Sequence, residues 1–349
     1  MLGRIAVVAA VCVSAVVMGT TASGALAPPT SGDPTVIALA QPVLERGIRH
    51  GVSVAVVNDQ HTAFANFGAE NDTEYEIGSL TKTFTAELFV DAVSRGEVRE
   101  DLRLDELLPL DGTPVGEVTL VDLAAHRSGL PPFAVTMDMA TNAMGWMSAT
   151  NPFPFDRDQL IQQARETPLW TPGRYQYSTF GYALLGQALA VAADTDYATL
   201  LSERMLVPLR MTDTWLPIAA TDLPADASRG FDALGRQQAP WPLDGYAPAG
   251  GIRSTIEDMA GYARQLLDGT VPGEGALTPR WSLPNGAQGA LSWQVENVGG
   301  AQYTLHSGST GGFQSIMVLD RDNHRAVVIL SNTIGSLQSA AYAIMAGLG

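Results

Sequence analysis

The chain is almost devoid of two side chains that enzyme chemistry often depends on. Its one cysteine, Cys12, lies inside an apolar run near the start. A chain without that run has no cysteine, which excludes structural disulfides, cysteine nucleophiles and thiolate-held zinc together. Lysine is equally scarce: of 20 Lys and Arg residues, 19 are arginine and one is Lys82. The five histidines, at 50, 61, 126, 306 and 324, show no His-Glu-x-x-His or similar ligand spacing, so no metal is indicated. Positive charge is outweighed overall. A formal net charge of -16 and a pI of about 4.6 argue against nucleic acid or an anionic membrane as partner.

With 349 residues, 46% of them apolar and 16% charged, the sequence suits a soluble globular protein with a substantial core. Arg4 precedes the apolar run from Ile5 to Met18, and small residues follow up to Ala27. Residues 1–27 read as a secretory signal peptide cleaved after Ala25 or Ala27. The run is short for a bilayer span of about 20 residues. The expectation is therefore a secreted or extracytoplasmic protein with no stable membrane insertion after cleavage.

Residues 28–35 read as a flexible leader. Apolar periodicity predicts a helix over 36–49, and two β-rich runs, 52–57 and 62–67, predict a hairpin with His61 in its turn. A second helix runs from Ser79 to about Val93, with Leu80, Phe84, Leu88 and Ala92 on one stripe. Residues 95–249 are helical and loop-rich, with helices expected over 118–126, 181–192 and 197–206. The irregular stretch from Phe133 to Asp158 is rich in methionine, which suits either a cover over a binding cleft or a loop packed on the core. Phe133 is its candidate substrate contact. A helix over 256–267 then leads to four β-rich runs, 291–297, 302–306, 313–319 and 324–330, and a closing helix over 334–348. The fold class expected is α/β (α+β). An antiparallel sheet built from 36–94 and 250–349 is flanked by helices, with a helical lobe, 95–249, inserted between its halves.

One stretch organises the rest: Gly78-Ser79-Leu80-Thr81-Lys82-Thr83-Phe84. Side chains three apart on a helix meet on one face, which sets a hydroxyl beside an amine. A chain that uses arginine for every other basic position keeps a lysine here. Guanidinium stays protonated in proteins, whereas a desolvated amine drops its pKa toward neutrality and serves as a base. A polar aromatic cluster, Tyr175 to Tyr182, and a turn-like stretch, His306 to Gly312, also have the composition of a site.

In this order the three stretches resemble the signature elements of the penicillin-recognising serine hydrolases, in particular the class C β-lactamase-like branch, with its penicillin-binding-protein relatives. They stand as Ser79-Leu-Thr-Lys82, Tyr177-Ser-Thr179 and His306-Ser-Gly308, and the likeness extends from about residue 36 to the end. It implies the β-lactamase and penicillin-binding-protein fold, and acyl transfer through a covalent seryl intermediate without metal or cofactor. Ser79 would be the nucleophile, with Lys82 and Tyr177 sharing its proton. The N–H groups of Ser79 and Ser309 would form the oxyanion hole. Thr179, His306, Ser307 and Gly308 would line the substrate site, His306 and Ser307 contacting a substrate carboxylate.

Two departures from the family pattern bear on substrate. Thr179 stands where the family usually has Asn, and its shorter hydroxyl reaches Lys82 more readily than an acyl-amide group, which weakens the case for efficient β-lactam hydrolysis. His306 replaces the commoner Lys, so a fixed charge becomes one that titrates near pH 6.5. Binding of carboxylate substrates is then expected to weaken as pH rises through that transition. Glu166 reads as a loop carboxylate and His126 as a structural residue. The Gly-x-Ser-x-Gly elbow of the α/β-hydrolases is absent. The function expected is a secreted serine hydrolase acting on small-molecule or peptide acyl substrates: esters, D-amino-acid peptides or β-lactams. The alternatives are a D-alanyl-D-alanine carboxypeptidase and a penicillin-binding sensor without turnover.

Overall fold

The computed structural model describes residues 30–44, 49–136, 144–145 and 148–348. The segment read from the sequence as a signal peptide and part of the methionine-rich stretch lie outside the described residues. Among the described residues no helix is long and apolar enough to cross a membrane.

A nine-stranded antiparallel sheet forms the spine. Three strands come from the start of the chain: β1 (Thr30–Gly32), β2 (Val52–Val57) and β3 (Thr62–Phe67). Six come from its end: β4 (Trp281–Ser282), β5 (Gln288–Gly289), β6 (Gln294–Val298), β7 (Ala301–Ser309), β8 (Gln314–Asp320) and β9 (Arg325–Ser331). The spatial order is β1-β3-β2-β9-β8-β7-β6-β5-β4. The two halves join where Val54 of β2 pairs with Ile329 of β9.

Both faces of the sheet are covered, so its central strands are apolar throughout rather than alternating with polar residues. Ile316, Val318, Val327 and Ile329 point to one face. There they pack on α1 (Pro34–Leu44), through Val36 and Ala40, and on α6 (Gln338–Gly347), through Ala341 and Ile344. Met317, Leu319, Val328 and Leu330 point to the other, into a larger core with Phe84, Leu88 and Phe89 of α2 (Thr81–Ser94) and Met259 and Leu266 of α5 (Ile256–Asp268). Thr255 caps α5 by accepting from the Asp258 N–H, and Gly269, with φ 64°, ends it.

Between α2 and α5 lies the helical part, including α3 (Arg157–Glu166) and α4 (Thr179–Ala192). Three expectations need correction. Residues 30–32 are not leader but the edge strand β1, paired with β3 through Ser31 and Asn66. Glu166 is not in a loop: it ends α3, where its carboxylate accepts from Gln162. Helix 197–206 is broken, passing from α-helix at Leu201 into a π-turn over Ser202–Leu206 ahead of Pro208.

Candidate active site

Ser79 is placed by a tight turn rather than by a cap. Tyr75–Glu76 pairs with Arg253–Ser254, the Ile77 N–H donates to the Ile252 carbonyl at 3.0 Å, and Gly78 takes φ 53°. The 3-10 turn Gly78–Leu80 then runs directly into α2. Lys82 follows one turn later, and its Nζ donates to Ser79 Oγ at 3.0 Å and to the Ala249 carbonyl at 2.6 Å. Its exposure is 0%. Among the described residues no carboxylate forms an ion pair with it. Two hydrogen bonds contribute about 1 kcal/mol each, whereas an unpaired buried charge costs several. The charge gives way. Burial lowers the Lys82 amine to about 7, so a large neutral fraction exists at physiological pH.

Tyr177 closes the other side. It sits just before Ser178, whose Oγ caps α4 by accepting from the Gly181 N–H at 2.9 Å and donates to the Pro131 carbonyl at 2.7 Å. Lys82 Nζ lies 5.0 Å from the centre of the Tyr177 ring, and the hydroxyls of Ser79 and Thr179 lie within reach of the Tyr177 hydroxyl. Burial raises the phenol above its usual range, so Tyr177 is held neutral. Thr179 therefore serves Tyr177; it makes no bond to Lys82, contrary to the sequence reading.

The third wall is the end of β7. The Thr310 N–H donates to the Phe313 carbonyl at 3.0 Å, and open and bonded pairs alternate along β7 and β8. That alternation turns the N–H and C=O of Ser309 away from β8, toward the Ser79 turn. Two glycines allow the approach. A Cβ on Gly78 would stand 2.7 Å from Ser309 N, and one on Gly308 would stand 2.0 Å from the Ile77 carbonyl oxygen and 2.8 Å from Ser79 N. Ser315 Oγ fastens the contact by donating to the Ile77 carbonyl at 2.7 Å. A hydroxyl, a neutral amine, a neutral phenol and two backbone N–H groups thus converge at one point.

A family model described as Beta-lactamase matches residues 36–348. The chain belongs to the beta-lactamase family. It is 25% identical over 237 residues to a beta-lactamase of Escherichia coli strain K12, covering 65% of this chain and 59% of that protein. It is 24% identical over 317 residues to a beta-lactamase-like protein of Arthroderma benhamiae, covering 79% of this chain and 51% of that one. The matches thus span about half to three-fifths of those relatives' length. Among solved structures, a class C beta-lactamase from Rhodobacter sphaeroides superposes with a TM-score of 0.77 at 22% identity. It covers 90% of this chain and 99% of its own, a likeness of fold.

In this beta-lactamase-family chain a cavity of about 380 Å³ opens beside Ser79, lined also by Tyr177, His306, Ser309, Gln294 and Glu296. Ser307 and Gly308 border it as well. Phe133 does not: it is 39% exposed, and its ring lies tilted against Phe153 with centroids 5.2 Å apart. His306 departs most from expectation. Its ring is buried edge-on to Trp293, with centroids 6.4 Å apart. Burial and, secondarily, Lys82 push it down to about 3, so it is neutral throughout the physiological range. The expected loss of carboxylate binding as His306 deprotonates near pH 6.5 therefore has no basis.

Two supporting features were beyond sequence reasoning. His126, with φ 55°, lies under the Tyr177 ring at 4.4 Å, and its Nδ1 accepts from the Ser178 N–H at 3.1 Å. It supports the Tyr177 ring directly. Burial, Lys82 and His306 hold it neutral. The second feature is Arg253, 1% exposed, which pairs with Glu74 and, at 3.0 Å, with Glu76, while its third contact is the Ser228 carbonyl. This cluster fixes the segment that delivers Ile77 to the turn. Among the described residues no group of three or more His, Cys, Asp or Glu side chains is arranged to hold a metal ion.

Proposed function

We propose that the protein is a serine hydrolase working through a seryl acyl-enzyme, with esters as its preferred acyl donors and D-amino-acid peptides and β-lactams as poorer ones. The observation that carries this is the 3.0 Å bond between Ser79 Oγ and an amine that burial brings to about 7. As Ser79 attacks a carbonyl carbon, its proton passes to neutral Lys82, and the oxyanion is met by the N–H groups of Ser79 and Ser309. Neutral Tyr177 hands its proton to the leaving group and recovers one from Lys82 through the Ser79 side. Water then repeats the sequence against the acyl-serine. Esters rank first because the cavity offers no fixed positive charge to the carboxylate that β-lactams carry, and Thr179 is occupied with Tyr177. Export follows from the reading of residues 1–27 and is checked by N-terminal sequencing of the mature chain.

The test sets the mature protein against a short-chain nitrophenyl ester, a chromogenic cephalosporin and a fluorescent penicillin, beside Ser79→Ala. Ester turnover that disappears in Ser79→Ala supports the proposal. Stable penicillin labelling with no turnover of any ester overturns it in favour of a sensor, and release of D-alanine from a D-alanyl-D-alanine peptide in preference to esters selects a carboxypeptidase.

A further inference from the structure

The cavity beside Ser79 has one charged wall, and it is acidic. Glu296 of β6 lines it together with Gln294, Gln338 and Ser307, and no Arg or Lys does. The carboxylate is held in place by neutral donors only: its Oε2 accepts from Tyr342 Oη at 2.7 Å and from Gln338 Nε2 at 3.3 Å. Its Oε1 has no protein hydrogen-bond partner among the described residues, and no cation pairs with Glu296 there. A half-buried carboxylate fixed by two hydrogen bonds, with one oxygen left over and its charge unanswered, is a receptor for positive charge. The other titratable groups facing the cavity do not answer it: His306 and Tyr177 are neutral, and Lys82 lies behind Ser79.

We propose that Glu296 is a specificity residue selecting acyl donors that carry an ammonium or other cationic group, the reverse of a site that anchors a substrate carboxylate. The inference rests on the seryl-hydrolase reading above, because it concerns which substrates reach Ser79.

Charge is tested apart from shape by isosteric thioesters. Acetylthiocholine is compared with its uncharged counterpart S-(3,3-dimethylbutyl) thioacetate and with the anionic S-(2-carboxyethyl) thioacetate. A parallel set places the same groups on the acyl side: nitrophenyl 4-(trimethylammonio)butanoate against 5,5-dimethylhexanoate. In at least one set kcat/KM for the cation exceeds that of its neutral isostere by about tenfold, the size of one partly buried charge pair. The anion falls below both. That ratio drops toward one in Glu296→Gln, and in the wild type it shrinks as salt is raised from 0.01 to 0.5 M. Because each ratio is taken within one variant, a general loss of activity cancels. If Glu296→Gln does not fold, the salt series on the wild type decides. A ratio at or below one in both sets, with the neutral ester turned over, overturns the inference and leaves the hydrolase reading intact. No turnover of any of these donors overturns both.

Discussion

Two basic side chains are buried beside the same turn, and their surroundings are opposite. Lys82 has a hydroxyl and a carbonyl for partners and no carboxylate. Arg253 has Glu74 and Glu76. Held by two acids, the guanidinium is part of the frame. Denied an acid, the amine is lowered by burial to about 7, the range the proposed base needs. A third group completes the series: Glu87 of α2, buried with no cation, is raised well above the carboxylate range by burial and holds Tyr262 through a 2.7 Å bond. What the fold supplies beside a buried ionisable group decides whether that group is structural or reactive.

The comparison is broken most severely by placing a permanent charge where a titratable one belongs. Lys82→Arg is expected to slow acylation by a nitrophenyl ester about 10³-fold, the scale of a lost general base, measured in single-turnover kinetics on protein with unchanged circular dichroism. Retention of more than a tenth of the rate would show that position 82 needs only charge.

Arg253→Met attacks the other member. It leaves buried Glu76 and half-buried Glu74 without a counter-charge and should cost about 3–5 kcal/mol in urea unfolding. Adding Glu76→Gln to it should restore part of that loss, a coupling that a merely bulky arginine would not show.

The pH dependence sharpens the contrast. If the neutral amine is the base, acylation rises about tenfold from pH 6 to pH 8 as Lys82 loses its proton. A midpoint far from 7 would shift the base elsewhere. Stability follows the same group with a defined sign. The unfolded amine keeps its proton to about pH 10.4, the folded one only to about 7, so the unfolded state binds more protons between them. Wild-type stability relative to Lys82→Met should therefore rise as pH goes from 7 to 10.

The smallest effect is expected at Glu87→Gln. A carboxyl already neutral is replaced by a neutral amide of the same shape, at a cost below about 1 kcal/mol at pH 5. The folded acid holds its proton above the unfolded pKa, so its contribution fades as pH rises, and the variant should lack that decline.

Much of this was legible in the chain because it depends on local spacing. Ser79 and Lys82 share a helix face whatever surrounds them, and short β-rich apolar runs at both ends of the sequence announce a sheet. The helix α3 was also written there, in the capping box of Asp156 and Gln159, but a methionine-rich background hid it. The fate of His306 was not legible. Its lowered pKa comes from burial and, secondarily, from Lys82, and only the fold buries the ring and brings Lys82 near it. The same holds for Arg253, whose acid partners lie in a different part of the sequence. Glu296 reads as one strand residue among many until Tyr342 and Gln338 from α6 close around one of its oxygens.

The seam between β2 and β9, and the arrival of Ser309 beside Gly78, give the site an order of assembly. During synthesis the alcohol emerges first and the backbone that polarises its target roughly 230 residues later, since contacts this distant in sequence form late. On the proposed mechanism, a nascent chain, or one clipped ahead of β7, carries Ser79 without its second oxyanion donor.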